Sequence, residues 1–170
     1  GLSVAEACLV EPLAVAQHAC NGVNVEAGQR VLVIGGGFLG LETASTARAM
    51  GLAVTVVEAA PLLLQRAVPS VFSDWLAQRV RGLGIDLRLG CAIASIPPAV
   101  DEVAITLADG TALRAPLVVV AIGLHPNVGL ADAAGLALHP GNGGIQVDAH
   151  CRTSAPGVFA AGDCASQYQP

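Results

Sequence analysis

The chain has 170 residues, enough for one domain or for one domain and part of another. With 54% hydrophobic and 12% charged residues it can bury a substantial core, and a net charge of −5 without a basic block argues against nucleic acid as a partner. Apolar runs such as Pro116 to Leu124 fall far short of the roughly 20 residues of a membrane-spanning helix, and they read as strands buried on both faces.

No Lys or Arg precedes Arg30. The charged start of a signal peptide is therefore missing, and a cytoplasmic location is expected. The cysteines Cys8, Cys20, Cys91, Cys151 and Cys164 are odd in number and scattered, without a C-x-x-C pair. Reduced thiols fit that pattern better than a disulfide framework.

In chain order, residues 1–29 read as a helical lead segment. Ser3 and Glu6 have capping-box spacing, Pro12 interrupts, and Asn21-Gly22 and Ala27-Gly28 signal turns. Arg30 to Ile34 is a short buried strand, followed by the glycine-rich stretch Gly35-Gly36-Gly37-Phe38-Leu39-Gly40. Leu39 to Met50 is Ala- and Leu-rich and ends at Gly51, as a helix does. Ala53 to Val57 is a β-branched strand, and Pro61 to Pro69 a connection. A second helix starts at Ser70 with Val71, Phe72, Trp75, Leu76 and Val80 at helical spacing, and stops at Gly82 and Gly84.

Ile85 to Leu89 is the third strand. Short strands follow from Ala92, with Asp109-Gly110 as a hairpin turn between Val103–Leu107 and Thr111–Leu113. Leu117–Ile122, Ile145–Asp148 and Val158–Ala161 read as further strands. This order predicts an α/β fold, a Rossmann-like three-layer, doubly wound unit with a parallel sheet and a small antiparallel β insertion.

A G-x-G-x-x-G pattern has chemical meaning only in context: a strand before it, a helix opened by its last glycine, and an acidic residue about 20 positions on. Val31–Ile34, Gly40 and Glu58 supply these in turn. Gly35 permits the tight turn, Gly37 the close approach of a pyrophosphate, and Gly40 close helix–sheet packing. The helix start aims free N–H groups at the phosphate charge. Glu58 can accept hydrogen bonds from the adenosine ribose hydroxyls and would repel a 2′-phosphate. No Arg or Lys lies within seven residues after it, Arg66 being the first. NAD(H) is therefore expected rather than NADP(H).

The stretch from Arg152 to Ala165 is a polar turn, a short apolar run and then Gly162-Asp163. On its residues alone it is a buried strand with either a capping Asp or an Asp placed to meet a sugar-like hydroxyl. No H-E-x-x-H, paired-cysteine, G-x-S-x-G or P-loop pattern occurs, and no metal site is expected. Cys164 reads as a buried small hydrophobe rather than a reactive thiol.

The sequence resembles the FAD-dependent pyridine-nucleotide oxidoreductases, and most of all the NADH-dependent ferredoxin and rubredoxin reductases. The likeness is carried by Val31 to Glu58, Pro61 to Arg66, Gly84 to Gly90, Ala108-Asp109-Gly110, Val118 to Asn127, Ala133 to Leu136, and Ile145 to Ala165. It implies that Asp163 and Gly162 border a flavin, that Glu42 lies near the nicotinamide and flavin rings, and that Ile122 and Gly123 border the dinucleotide. Arg66, at the end of a matching stretch, joins the residues expected at the cofactor. The family's redox-active disulfide has no counterpart here, so the resemblance is to reductases that pass electrons to an outside acceptor.

Two departures shape the expectation. The family's own FAD-binding Gly-rich loop has no counterpart, so an incomplete FAD site is expected. Ala7 to Ala19 instead resembles medium-chain zinc alcohol or polyol dehydrogenases, where Glu11 would match a residue near the metal; a helical role for Glu11 and His18 is preferred. The expected organisation is a lead segment (1–29), an NAD(H)-binding domain (30–122) and part of an FAD domain (123–170). The expected function is hydride transfer from NADH to FAD and onward to an iron–sulfur protein such as a ferredoxin. The alternatives are a stand-alone NAD(H)-binding domain without catalysis or a fragment of a zinc-dependent dehydrogenase.

Overall fold

The computed structural model describes Ser3, Val10, Ala14, His18, residues 26–99 and residues 101–167. Val10, Ala14 and His18 are helical and exposed, while Glu6, Glu11, Pro12, Asn21-Gly22, Cys8 and Cys20 lie outside the described residues. The chain divides into two compact units, Gly1–Ile122 and Gly123–Pro170.

The first unit runs β1 (Arg30–Ile34), α1 (Phe38–Ala49), β2 (Ala53–Val57), α2 (Ser70–Gly82), β3 (Asp86–Arg88), β4 (Ile93–Ser95), β5 (Val103–Leu107), β6 (Ala112–Ala115) and β7 (Leu117–Val120). Strands β3-β2-β1-β7 form a four-stranded parallel sheet, with β1 at its interior between β2 and β7. Strands β4-β5-β6 form a separate antiparallel sheet.

The period-two alternation of β1 and β2 sorts side chains onto two faces. Val31, Val33, Val54, Val56 and Leu87 pack on one face against Ala44 and Ala47 of α1 and Ala77 and Val80 of α2. Leu32 and Val57 pack on the other against Ile105, Leu107 and Ala115 of the antiparallel sheet. The three layers are thus helices, parallel sheet and antiparallel sheet. A doubly wound arrangement would put helices on both faces; here α1 and α2 share one, and the expected β insertion is the third layer.

Helix α1 buries Gly40, Thr43, Ala44 and Ala47, a stripe of small residues at helical spacing that lets its axis approach the sheet. Helix α2 differs from expectation. It buries Ser73, Ala77 and Val80, whereas Val71, Phe72 and Trp75 are exposed, with the Phe72 and Trp75 rings 5.4 Å apart. Its rotation follows Ser73, whose hydroxyl donates to the Leu63 carbonyl at 2.6 Å in a buried setting. At the hairpin, the Asp109 carboxylate accepts from the Thr111 amide at 2.8 Å and Gly110 has φ +86°. The Thr111 hydrogen bonds hold the Asp109 carboxyl below its ordinary value.

The second unit holds α3 (Gly129–Ala133), β8 (Ile145–Val147) and β9 (Ala165–Gln167), the last two paired in parallel. The strand expected at Val158–Ala161 does not form; Phe159 makes one bridge to Arg152. Gly157 and Gly162, both at φ +78°, fold the chain on either side of it, and the Thr153 hydroxyl closes a turn onto the Val158 carbonyl at 2.9 Å. Among the described residues no helix is long and apolar enough to cross a membrane.

If the antiparallel sheet is a full layer, truncating its centre should cost as much as truncating any core. Ile105 is 0% exposed. Ile105→Ala is expected to lower unfolding free energy in urea by about 2–5 kcal/mol. Arg30→Ala, which removes an exposed ion pair to Glu102, should cost about 1 kcal/mol or less. Equal small losses would make the sheet an appendage.

Candidate nucleotide-binding site

The C-terminal end of β1 is hydrogen-bonded on both sides. The Gly35 amide donates to the Val57 carbonyl, and the Ala121 amide to the Ile34 carbonyl, each at 2.8 Å. From there the backbone turns at Gly35, whose φ of +113° few side chains tolerate. A Cβ on Gly35 would collide with the Ala121 carbonyl oxygen, and one on Gly40 with that of Gly35. Both close approaches are to backbone, which cannot swing away.

At Gly36 the crowding comes from side chains rather than backbone. A Cβ there would lie 2.6 Å from a Leu63 methyl and 3.1 Å from the Glu58 Cβ. Gly37 is the exception, with nothing within 4 Å of its missing Cβ. It caps α1 in an extended conformation, φ −81° and ψ −176°. The first turn of α1 leaves the Phe38, Leu39 and Gly40 amides without intrahelical acceptors, and no acidic side chain occupies that turn. Open space, free donors and the positive end of the helix therefore coincide at Gly37, an arrangement suited to an anion.

Glu58 follows β2 directly. Its amide donates to the Arg88 carbonyl at 2.9 Å and its carbonyl accepts from the Cys91 amide at 3.0 Å. Its carboxylate turns inward: Oε2 accepts from the Gly36 amide at 2.5 Å and Oε1 from the Ala60 amide at 2.7 Å. A third tie joins the same loops, from the Leu64 amide to the Gly36 carbonyl at 3.2 Å. Leu63, 0% exposed, packs beneath. Ala60, Leu63 and Leu64 were not among the expected site residues. Leu63 and Leu64 lie in the apolar triplet Leu62-Leu63-Leu64, within the stretch Pro61 to Arg66 that carries the family likeness, while Ala60 has no signal of its own.

The first unit thus brings together Gly35, Gly36, Gly37, Gly40 and Glu58. Phe38 and Leu39, both 60% exposed, stand on the first turn of α1. Ile122 is 72% exposed and follows Ala121, the residue against which Gly35 turns. Glu42 lies in α1 just beyond the loop, half-buried and without a hydrogen bond or ion pair to the described residues. Arg66 is exposed on the turn that Leu64 ties to Gly36.

Gly123 opens the second unit at φ +120°, with nothing within 4 Å of a Cβ. Gly162 and Asp163 belong to that second unit, where both are exposed. Cys164 is half-buried and its thiol faces the Ala161 carbonyl. Among the described residues no group of three or more His, Cys, Asp or Glu could hold a metal ion.

The second unit is organised at Asp148. Its carboxylate accepts from the Arg152 and His150 amides and pairs with the Arg152 guanidinium at 2.8 Å. The Arg152 backbone and side-chain hydrogen bonds pull its pKa from 3.8 to about 2.

A model of the pyridine nucleotide-disulphide oxidoreductase family matches residues 10–170. That span takes in most of the segment whose sequence resembles zinc dehydrogenases. Terpredoxin reductase of a Pseudomonas species is 44% identical over 138 residues, covering 79% of this chain and 33% of that protein. The ferredoxin–NAD(+) reductase component of the anthranilate 1,2-dioxygenase system of Burkholderia cepacia is 42% identical over 143 residues, covering 84% and 34%. The crystal structure of an FAD-dependent pyridine nucleotide-disulphide oxidoreductase from Desulfovibrio vulgaris superposes with a TM-score of 0.79 at 32% identity, covering 88% and 38%. The chain spans about a third of the length of the curated relatives it matches.

Two outcomes follow from this geometry. Gly40→Ala should destabilise the first unit by about 1–3 kcal/mol through overpacking against the Gly35 carbonyl, read as a lowered thermal midpoint; an unchanged midpoint would refute the packing. A depressed carboxylate stabilises the fold above its ordinary pKa and loses that effect as pH falls through its folded value. The second unit should therefore loosen between about pH 4 and pH 2. Asp148→Ala should remove that pH dependence, measured by amide exchange at Arg152.

Proposed function

The chain belongs to the pyridine nucleotide-disulphide oxidoreductase family, and from that premise we propose that residues 30–122 hold NAD(H) as the nicotinamide-binding part of an FAD-dependent reductase. The observation that carries the reading is the loop at Gly37: an open backbone position with free amides at a helix start, closed behind by Gly35, Gly36, Gly40 and Glu58.

The residues present fit a dinucleotide. Phe38, Leu39, Gly37 and Gly40 supply backbone donors for the pyrophosphate. A carboxylate offers about four acceptor positions; the two amide bonds on Glu58 leave the others for the adenosine ribose hydroxyls. The charge held there disfavours a 2′-phosphate, which makes NAD(H) the preferred partner. Glu42, Ile122 and Gly123 are assigned to the nicotinamide end, Arg66 to the adenosine side, and Gly162 and Asp163 to a portion of an FAD site. When bound, NADH supplies a hydride that FAD accepts. The protein's part is to orient the donor and fix the charges around it.

The outside acceptor is proposed to be a small iron–sulfur protein. The similarity to terpredoxin reductase and to a ferredoxin–NAD(+) reductase component supports that partner. A cytoplasmic location accords with it.

Calorimetric titration of the 170-residue chain tests the reading. NADH is expected to bind, and NADPH to bind at least about tenfold more weakly, from repulsion near Glu58 worth roughly 1.4 kcal/mol. Gly37→Ala meets no neighbour within 4 Å, so its melting midpoint should hold while NADH affinity falls. Undiminished affinity in that variant would remove the loop from the site. Binding of NADH without FAD would reduce the reading to a nicotinamide-nucleotide module.

A further inference from the structure

We propose that Glu58 is a positioning residue for the glycine loop, shaping it before any nucleotide arrives, in addition to its proposed contact with ribose. Its two carboxylate oxygens serve two different amides on two different loops, Gly36 and Ala60. The side chain lies against Gly36 so closely that a Cβ there would sit 3.1 Å and 3.2 Å from its Cβ and Cγ. Its backbone is fixed in turn by Arg88 and Cys91. Glu58 is therefore a clamp between the phosphate loop and the turn at residues 59–64.

The chemistry of the clamp is specific. Both partners are donors, so both ends of the side chain must accept. Glutamate, ionised, is acceptor-only at both oxygens; glutamine is an acceptor at one end and a donor at the other. In Glu58→Gln one amide keeps its bond, while the other faces an NH2 group, donor against donor. The isosteric variant, normally the mild one, is here the disruptive one. A residue whose only role was to meet ribose hydroxyls, which both donate and accept, would tolerate glutamine far better.

The clamp also bears on cofactor choice. A carboxylate tied at both oxygens cannot rotate aside to admit a 2′-phosphate. Exclusion is then built into the loop, and relaxing it loosens the phosphate site as well. This last step rests on the assignment of the loop to NAD(H); the clamp itself does not.

Two measurements on the full chain test the proposal separately. The first is amide exchange by NMR without ligand. Gly36 and Ala60 should be protected in the unmodified protein. In Glu58→Gln at least one should exchange about ten- to a hundredfold faster, the loss of one hydrogen bond to a charged acceptor, while the core amides of Val33 and Val56 stay unchanged. Equal protection of both amides in the variant overturns the clamp.

The second is binding of reduced nicotinamide mononucleotide, which has a phosphate but no adenosine ribose for Glu58 to touch. Positioning predicts weaker binding in Glu58→Gln by about tenfold, roughly one hydrogen bond's worth. A role confined to ribose predicts unchanged or tighter binding, because one negative charge is gone, and that result also overturns the proposal. Glu58→Asp keeps two acceptor oxygens on a shorter stem. It should fall between the other two in both measurements, and it supplies the comparison if the glutamine variant does not fold. If the unmodified chain binds neither nucleotide, the proposed function fails while the exchange result still decides the clamp.

Discussion

The site depends on three places where a side chain would displace its neighbours. At Gly35 and Gly40 the obstruction is a backbone carbonyl; at Gly36 it is Leu63 and the stem of Glu58. These contacts bring strand, loop and helix closer together than any other residues would permit. The fourth glycine, Gly37, faces open space, and its position is a product of the other three. Packing thus creates one bare backbone position with unused donors beside it, on the end of a strand hydrogen-bonded to both neighbours.

The sheet makes that strand end rigid by being filled on both sides. Small residues of α1 cover one face and the antiparallel strands the other. The division follows from strict alternation along β1 and β2, in register with β7. A residue inserted into β1 would exchange the two faces, so the length of the strand and the height at which the loop emerges are fixed together.

Much of this was legible in the residues themselves. The run Val31–Ile34, three spaced glycines and the Ala-rich helix that follows define a strand, a turn and a close-packed helix by local rules alone, and Glu58 stands at the spacing those rules require. The role of Gly36 was not legible, because it depends on Leu63, a residue brought in by a connection without periodic pattern. The apolar spacing along α2 marks the helix but only part of its buried face, for a similar reason. Val71, Phe72 and Trp75 point outward, while Leu76 and Val80 pack on the core beside Ala77 and Ser73, the last bonded to that same Leu63. The strand expected at Val158–Ala161 failed because flanking glycines at positive φ bend the chain there, and an apolar run of four residues is too short to resist them. Family resemblance pointed to Gly162, Asp163 and Glu42, positions for which local physics offers only a turn, an exposed carboxylate and a half-buried helix residue.

The two outer strands of the parallel sheet are unlike each other. At β3 the border reads Asp86-Leu87-Arg88, with the two charges paired at 3.0 Å. At β7 it reads Leu117-Val118-Val119-Val120, four apolar residues without a charge. Among the described residues neither border has a further strand beside it. Charge guards a sheet margin against strand addition and its lack invites it. The sheet margins are therefore chemically unequal: beyond β3 a paired charge discourages strand addition, while β7 presents no such guard.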